Sequence, residues 1–238
     1  IIDGGSGALI AQRLSEYYTD QPPALNEDEA LSGYLQHLRA ESEYQHSPKH
    51  DKDEAYWRGV LAGVEAITPF DQDIYRADTD PLSANPFSRK SLVLEGTVLR
   101  QLKQVARDLD STVGNVIIAA SALIEAMELQ RDNVTLSIPL LSRIGSTARS
   151  VVSMSANIGH LHLTEIWSQT PHQLLASIKR QVRSAHRHQQ YRIEEAHRLL
   201  LDTWNGEKLA RLKINQMPFE AHSLRFGEYP SSTSNLSN

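Results

Sequence analysis

From Ser91 to Arg187 the spacing of apolar residues switches repeatedly between two periods, and this alternation limits the fold more than any other feature. Leu92 and Leu94 alternate with outward positions, which predicts a short strand. Leu99, Leu102, Val105 and Ala106 recur at helical spacing. Ser111 and Thr112 offer capping oxygens for a strongly apolar helix, Val113 to Leu129. Val134, Leu136 and Ile138 alternate again as a strand, followed by a loop of small polar residues from Ser142 to Ser153 and a strand from Ile158 to Thr164. Pro171 opens a basic helix to Arg187, with a helical turn or two from Glu194 to Leu201. Leu209 to Asn215 and His222 to Phe226 read as final strands. Strands and helices interleaved in this way predict a layered α/β unit.

The chain before Ser91 reads as mostly helical. It opens Ile1-Ile2-Asp3-Gly4-Gly5-Ser6-Gly7, a buried strand end and a glycine-rich turn. A helix follows, predicted to bury Leu9, Ile10, Leu14 and Tyr17 or Tyr18 and to stop before Pro22-Pro23. Asn26 is a capping residue for a second helix carrying Tyr34, Leu35 and Leu38. After a polar interruption from Gln45 to Asp51, a third helix carries Tyr56, Trp57, Val60 and Leu61. The stretch from Ile67 to Lys90, with Pro69, Pro81 and Pro86, reads as a linker crossing between two lobes. With no initiator Met and no polar lead-in, the opening reads as the interior of a longer chain.

Charge and composition exclude several function classes. A net charge of -5 without a basic run argues against a nucleic-acid partner. No apolar run reaches the length of a membrane span. The chain has no cysteine, which excludes disulfides, thiolate zinc sites and cysteine catalysis, and fits a reducing, cytoplasmic setting.

Few residues stand out chemically. Asp3 follows two apolar residues, and a buried carboxylate must be paired or hydrogen-bonded, so Asp3 is either a structural partner of a cation or a participant in chemistry. The adjacent glycines lack the Lys-Ser/Thr of a phosphate loop. His160 and His162 share a strand face without a third metal ligand nearby, and Glu194 with His197 has the spacing of a carboxylate-bridged site without its other ligands. No metal is expected at either place. Lys179, Arg180, Arg183 and Arg187 make a solvated helix face or a docking surface for an acidic partner.

Several segments, in order, resemble the motifs of condensation domains of non-ribosomal peptide synthetases. Asp3-Gly4-Gly5-Ser6 is similar to the end of His-His-x-x-x-Asp-Gly, whose histidines would precede Ile1. Asp53-Glu-Ala-Tyr56-Trp57 resembles the Asp-x-x-Tyr/Phe-Trp helix, and Arg143-Ile-Gly145 resembles the Arg-x-Gly segment. Met154-Ser-Ala-Asn157-Ile-Gly resembles Gly-x-Phe-Val-Asn-Thr, His188-Gln-Gln-Tyr191-Arg-Ile-Glu194 resembles His-Gln-x-Tyr-Pro-Phe-Glu, and Asn215-Gln-Met-Pro-Phe219 resembles Asn-x-x-x-Phe. Ser153 stands where the family usually has Gly, and Arg192 and Ile193 replace Pro and Phe. The opening and His186-Arg-His188-Gln-Gln-Tyr191 are most similar to siderophore synthetases of the enterobactin type.

The resemblance implies a two-layer α/β fold like that of chloramphenicol acetyltransferase. Residues 1–80 would be the end of the N-terminal lobe and 81–238 a C-terminal lobe incomplete at its end. It implies amide formation between thioesters presented by donor and acceptor carrier proteins on phosphopantetheine arms, beside an adenylation domain in the parent. The chain itself would bind no cofactor. Asp3 and Gly4 would form the structural part of the active site with Arg143, the pair spanning the lobes; Ser6, Asn157, His188, Tyr191, Asn215 and Phe219 would line the tunnel. No catalytic residue would be present, and the chain alone would be inactive. A stand-alone acyltransferase, an epimerization domain and a non-catalytic carrier-docking module are the alternatives.

Overall fold

The computed structural model describes residues 2–18, 27–64, 90–198, 209–216 and 224–231. Three helices come first: α1 (Gly4–Tyr17), α2 (Glu27–Gln45) and α3 (Pro48–Leu61). Next are α4 (Gly96–Asp108), α5 (Val113–Leu129), strand β1 (Val134–Leu140), the short helix α6 (Gly145–Ser150) and strand β2 (Asn157–Leu163). A 3-10 turn (Ile166–Ser168), helices α7 (Pro171–Arg187) and α8 (Ile193–Arg198) and a small hairpin, β3 (Arg225–Phe226) and β4 (Tyr229–Pro230), complete the described elements.

Local chemistry sets the helix ends. The Thr112 side chain accepts from the Asn115 amide, and Gln130 closes α5 in the left-handed conformation. Thr170 and Gln173 form a capping box around Pro171 at the start of α7. In α3 the helix begins earlier than the polar run from Gln45 to Asp51 predicts. The Ser47 side chain accepts from the His50 amide and Pro48 occupies the first turn, so that run belongs largely to the helix.

Strands β1 and β2 pair antiparallel from Val134 opposite Leu163 to Leu140 opposite Asn157. Residues 209–214 lie beside β1, where Ser137 pairs in parallel with Lys213 and exchanges backbone hydrogen bonds with Leu212 and Ile214. The alternation puts Val134, Leu136, Leu161 and Leu163 on one face, packed with Ile118, Ala122, Ala126, Leu174 and Ile178 of α5 and α7. The opposite face carries two cross-strand polar pairs, Thr135 with His162 and Ser137 with His160. From α3, Trp57 reaches the sheet over Gly159, where a Cβ would lie 2.9 Å from Leu140 Cδ1 and 3.0 Å from Trp57 Cη2. Trp57 is 1% exposed, and truncating so buried an indole costs about 3–5 kcal/mol.

Several expectations need correction or lie outside the described residues. In α1, Ile10, Leu14 and Tyr18 are exposed and Ser6 is the one buried residue, so the periodic stripe has no described core to face. Helix α2 carries Tyr34, Leu35 and Leu38 as expected, and all three are exposed. Leu92 and Leu94 form no strand: residues 90–95 are irregular and Leu92 is 85% exposed, because no described neighbouring strand pairs with them. The loop from Ser142 to Ser153 contains α6, held by a side chain discussed below. Asn26, Phe219 and almost all of the 67–90 linker fall outside the described residues.

Candidate functional site

Asp3 sits immediately before α1, and its carboxylate serves two purposes. As N-cap it accepts from the Ser6 amide at 2.8 Å through Oδ1. The same oxygen accepts from Arg143 Nη2 at 2.7 Å, while Oδ2 accepts from the Ser155 and Ala156 amides at 3.0 Å each. The Asp3 and Arg143 side chains are only 4% and 8% exposed. Burial alone pushes the carboxyl up; the Ser6 amide, the guanidinium and the amides of Ser155 and Ala156 together outweigh it and hold it at about 2. A carboxylate so acidic, with four donors on its two oxygens, is a poor proton acceptor at neutral pH. The geometry makes Asp3 a brace.

Arg143 lies 140 residues away, just past β1, and organises the turn that follows it. Its Nη1 donates to the Ala148 and Val151 carbonyls at 2.8 and 2.7 Å, closing the end of α6. Its Nη2 reaches Asp3, the Ser6 hydroxyl at 2.7 Å and the Ser153 carbonyl at 3.1 Å. Nε alone has no partner among the described residues. That edge lies against Gly5, where a Cβ would come within 2.8 Å of Nε. The glycine leaves room for the guanidinium, and the planar fork reaches several acceptors that one ammonium cannot. Ser6, fully buried, completes the joint by donating to the Ser153 carbonyl and accepting from the Ser153 amide.

From here hydrogen bonds, joined by single covalent steps along the backbone, lead to α3. Asn157 follows Ala156, and its Nδ2 donates to the Gln189 and Tyr191 carbonyls at 2.9 and 2.7 Å while Oδ1 accepts from the Ile193 amide at 3.0 Å. Ser142 fastens the same segment, its amide and hydroxyl bonding to Gln189. His188 Nδ1 then meets Asp53 Oδ1 at 2.6 Å, its carbonyl accepts from Trp57 Nε1 at 2.8 Å, and its ring stacks on Tyr56 at 4.1 Å. Asp53 is wholly buried and also holds Lys49 and the Tyr44 hydroxyl, whose acidity burial and this carboxylate suppress strongly. The resembling segments around Asp3, Arg143, Asn157, His188 and Asp53 thus form one network.

The tunnel candidates differ in burial. Ser6, Asn157 and Tyr191 are 0%, 3% and 3% exposed, and the polar side chains of the first two are engaged inside the network. Ser6 and Asn157 hold backbone segments in place, and the Tyr191 side chain packs in the apolar core. His188 is partly exposed, Asn215 is exposed and outside the network, and Gly4 is exposed at the start of α1.

Other groups escaped the sequence. His197 does not lie on a solvated helix face: it turns onto His160, with Nε2 atoms 3.4 Å apart, and burial lowers the pKa of both, His160 to about 4. Among the described residues no group of three or more ligating side chains could hold a metal ion. Glu125, wholly buried in the apolar helix α5, pairs with Arg211 at 2.9 Å. A charged residue within an apolar run was the available signal. The amides of Ser155 and Ala156 had none, since a backbone donor leaves no mark in sequence.

An N-capping aspartate braced by an arginine from beyond β1, on a sheet covered by α5 and α7, defines a condensation-type α/β protein. The condensation domain model matches residues 1–221, and the chain belongs to that family. It is 32% identical to the dimodular nonribosomal peptide synthase of Bacillus subtilis, over 99% of this chain and 10% of that protein. It is 33% identical to the isonitrile lipopeptide synthase of Streptomyces coeruleorubidus, over 99% of this chain and 16% of that protein. Among solved structures it resembles the first condensation domain of the calcium-dependent antibiotic synthetase, with a TM-score of 0.73 at 22% identity, over 96% of this chain and 48% of that one. VibH, a condensation enzyme, matches with a TM-score of 0.60 over 86% of this chain and 46% of its own. The fold is that of the chloramphenicol-acetyltransferase-like class, and the chain spans about half of those solved chains. Among the described residues no single helix is long and apolar enough to cross a membrane.

Proposed function

We propose that this chain is the structural half of an amide-forming active site in a non-ribosomal peptide synthetase. The observation that carries the reading is the Asp3–Arg143 brace, buried and completed by Ser6 and the 153–156 backbone. In the proposed reaction an amine on an acceptor carrier attacks the thioester carbonyl on a donor carrier. The C–N bond forms, the C–S bond breaks, and the donor's phosphopantetheine thiol leaves with a proton. The brace fixes Asp3 against the start of α1 and the 153–156 backbone, and holding two substrates in register supplies a large part of such a rate.

Residues 1–80 would belong to the N-terminal lobe and 81–238 to the C-terminal lobe, with the brace joining them. His188, Asn215 and Phe219 remain the candidates to face substrate. The chain contains no two adjacent histidines, and we expect these residues to be inactive alone. The relatives extend far beyond this chain, which supports a multidomain parent with an adenylation domain and carrier proteins. A siderophore product and a cytoplasmic setting complete the reading.

The test is condensation by the parent synthetase with both carriers loaded. Arg143→Lys should lower single-turnover amide formation at least tenfold while carrier loading is unchanged. Wild-type rates in that variant would overturn the role given to the brace. Transfer to a free alcohol, with no amide product from loaded carriers, would favour a stand-alone acyltransferase.

A further inference from the structure

An open pocket of about 250 Å³ lies between α3 and α7, beside the Tyr56 ring that stacks on His188 and the His162 ring that bonds Thr135. Two glycines open it from the α3 side. A Cβ on Gly59 would meet nothing within 4 Å, and one on Gly63 would meet the edge of the His162 ring, 3.3 Å from Nε2. The ring is held from behind, with Nδ1 bonded to the Thr135 hydroxyl at 3.0 Å, which turns Nε2 towards the pocket.

The α7 wall contributes Arg180 and Ser184. The neighbouring Lys179 is paired with Asp110, whereas Arg180 has no ion pair or hydrogen bond among the described residues. Among the described residues the Ser184 and Tyr56 hydroxyls are also without hydrogen-bond partners, and none of the described lining residues is acidic. The pocket therefore combines an unpaired guanidinium, two available hydroxyls and an imidazole edge with the apolar surface of Tyr56 and Val60. Its volume corresponds to about eight waters at ~30 Å³ each, space for a tetrahedral anion with a short apolar or aromatic body. A guanidinium fork with several hydroxyl donors matches a phosphate's oxygens better than it matches a carboxylate's two.

We propose that the α3–α7 pocket binds a small phosphate monoester, with Arg180 as its principal anchor and the surface of Gly59 on α3 and Gly63 just beyond it as the space for its body. The site is separate from the Asp3–Arg143 brace, and its occupancy does not depend on the amide-forming reading.

The experiment is a titration of the 238-residue chain with phenyl phosphate, inorganic phosphate and benzoate, followed by calorimetry and by amide shifts of α3 and α7. Saturable binding of phenyl phosphate is expected, tighter than that of either comparison probe. Arg180→Gln should weaken it roughly 10- to 100-fold, the loss of charge-assisted hydrogen bonds. Gly59→Leu, built into open space on a helix, should abolish it. Arg183→Gln, on the same helix outside the pocket lining, should leave it unchanged. No saturable binding, retained binding in Gly59→Leu, or equal losses from Arg180→Gln and Arg183→Gln would each overturn the assignment. The last would show a diffuse basic surface. Arg180 is exposed, so its variant tests the site without disturbing the fold.

Discussion

Replacing Arg143 by Met keeps the length of the side chain's apolar stem and removes the guanidinium from five acceptors: the Ala148, Val151 and Ser153 carbonyls, Asp3 Oδ1 and the Ser6 hydroxyl. A side chain 8% exposed facing a carboxylate 4% exposed is a buried pair, and removing one member of such a pair costs about 3–5 kcal/mol. Asp3 offers an independent magnitude. A carboxyl held at about 2 instead of 3.8 contributes about 2.5 kcal/mol at neutral pH. Because its folded pKa is the lower, this contribution is fully present above the unfolded value and is lost as pH falls through about 2. Urea unfolding followed by tryptophan fluorescence, at neutral pH and down the acid limb, should show Arg143→Met destabilised by several kcal/mol. Its acid limb should also move to higher pH, since the carboxyl loses one of the groups holding it down. Arg143→Lys should recover little, because one ammonium cannot span acceptors arranged around a planar fork. Asp3→Asn and Arg143→Met should be strongly non-additive in a double-mutant cycle. Stability of Arg143→Met within about 0.5 kcal/mol of wild type would place the pair with weak surface ion pairs and would refute the brace.

Gly5→Ala places a methyl 2.8 Å from a guanidinium nitrogen pinned on both Nη atoms, so it should lower stability by about 1–3 kcal/mol in the same urea assay. His160, held neutral with its pKa lowered to about 4, takes up its proton more readily in the unfolded chain. Stability should therefore fall between about pH 6.5 and 4, by about 3 kcal/mol, and His160→Gln should flatten that part of the profile. Arg211→Met should cost about 3–5 kcal/mol by stranding buried Glu125; the added change Glu125→Leu should restore much of it, and no restoration would show that the arginine acts elsewhere.

The network joins short segments far apart in the chain, which explains why each is weak as a sequence signal. Asp53 and His188 are 135 residues apart, and Asn157 reaches backbone 32 to 36 residues on. What each side chain recognises is chiefly a backbone carbonyl or amide, so many sequences could supply the partner. Residue identity is constrained mainly where a fork, a missing Cβ or a buried hydroxyl is required, as at Arg143, Gly5 and Ser6.

By itself the sequence determined what short-range physics controls. Capping oxygens and prolines set the bounds of α5 and α7, because those bonds close within one helical turn. Alternation placed β1 and β2, because side-chain direction follows from the pleat, and it correctly put His160 and His162 on one face. Motif order indicated the family. Only the tertiary structure decided which periodic faces are buried. The stripe of α1 is as periodic as that of α5, yet Leu14 is 50% exposed while Ala122 is fully buried, since periodicity states that a face is apolar and not what lies against it. Likewise Leu92 and Leu94 have strand spacing without a described partner to complete their hydrogen bonds. Only in three dimensions do Ser6 and Asn157 fasten backbone segments and do Asp3 and Arg143 become one unit, because a long-range contact depends on both ends of a path that neither end encodes.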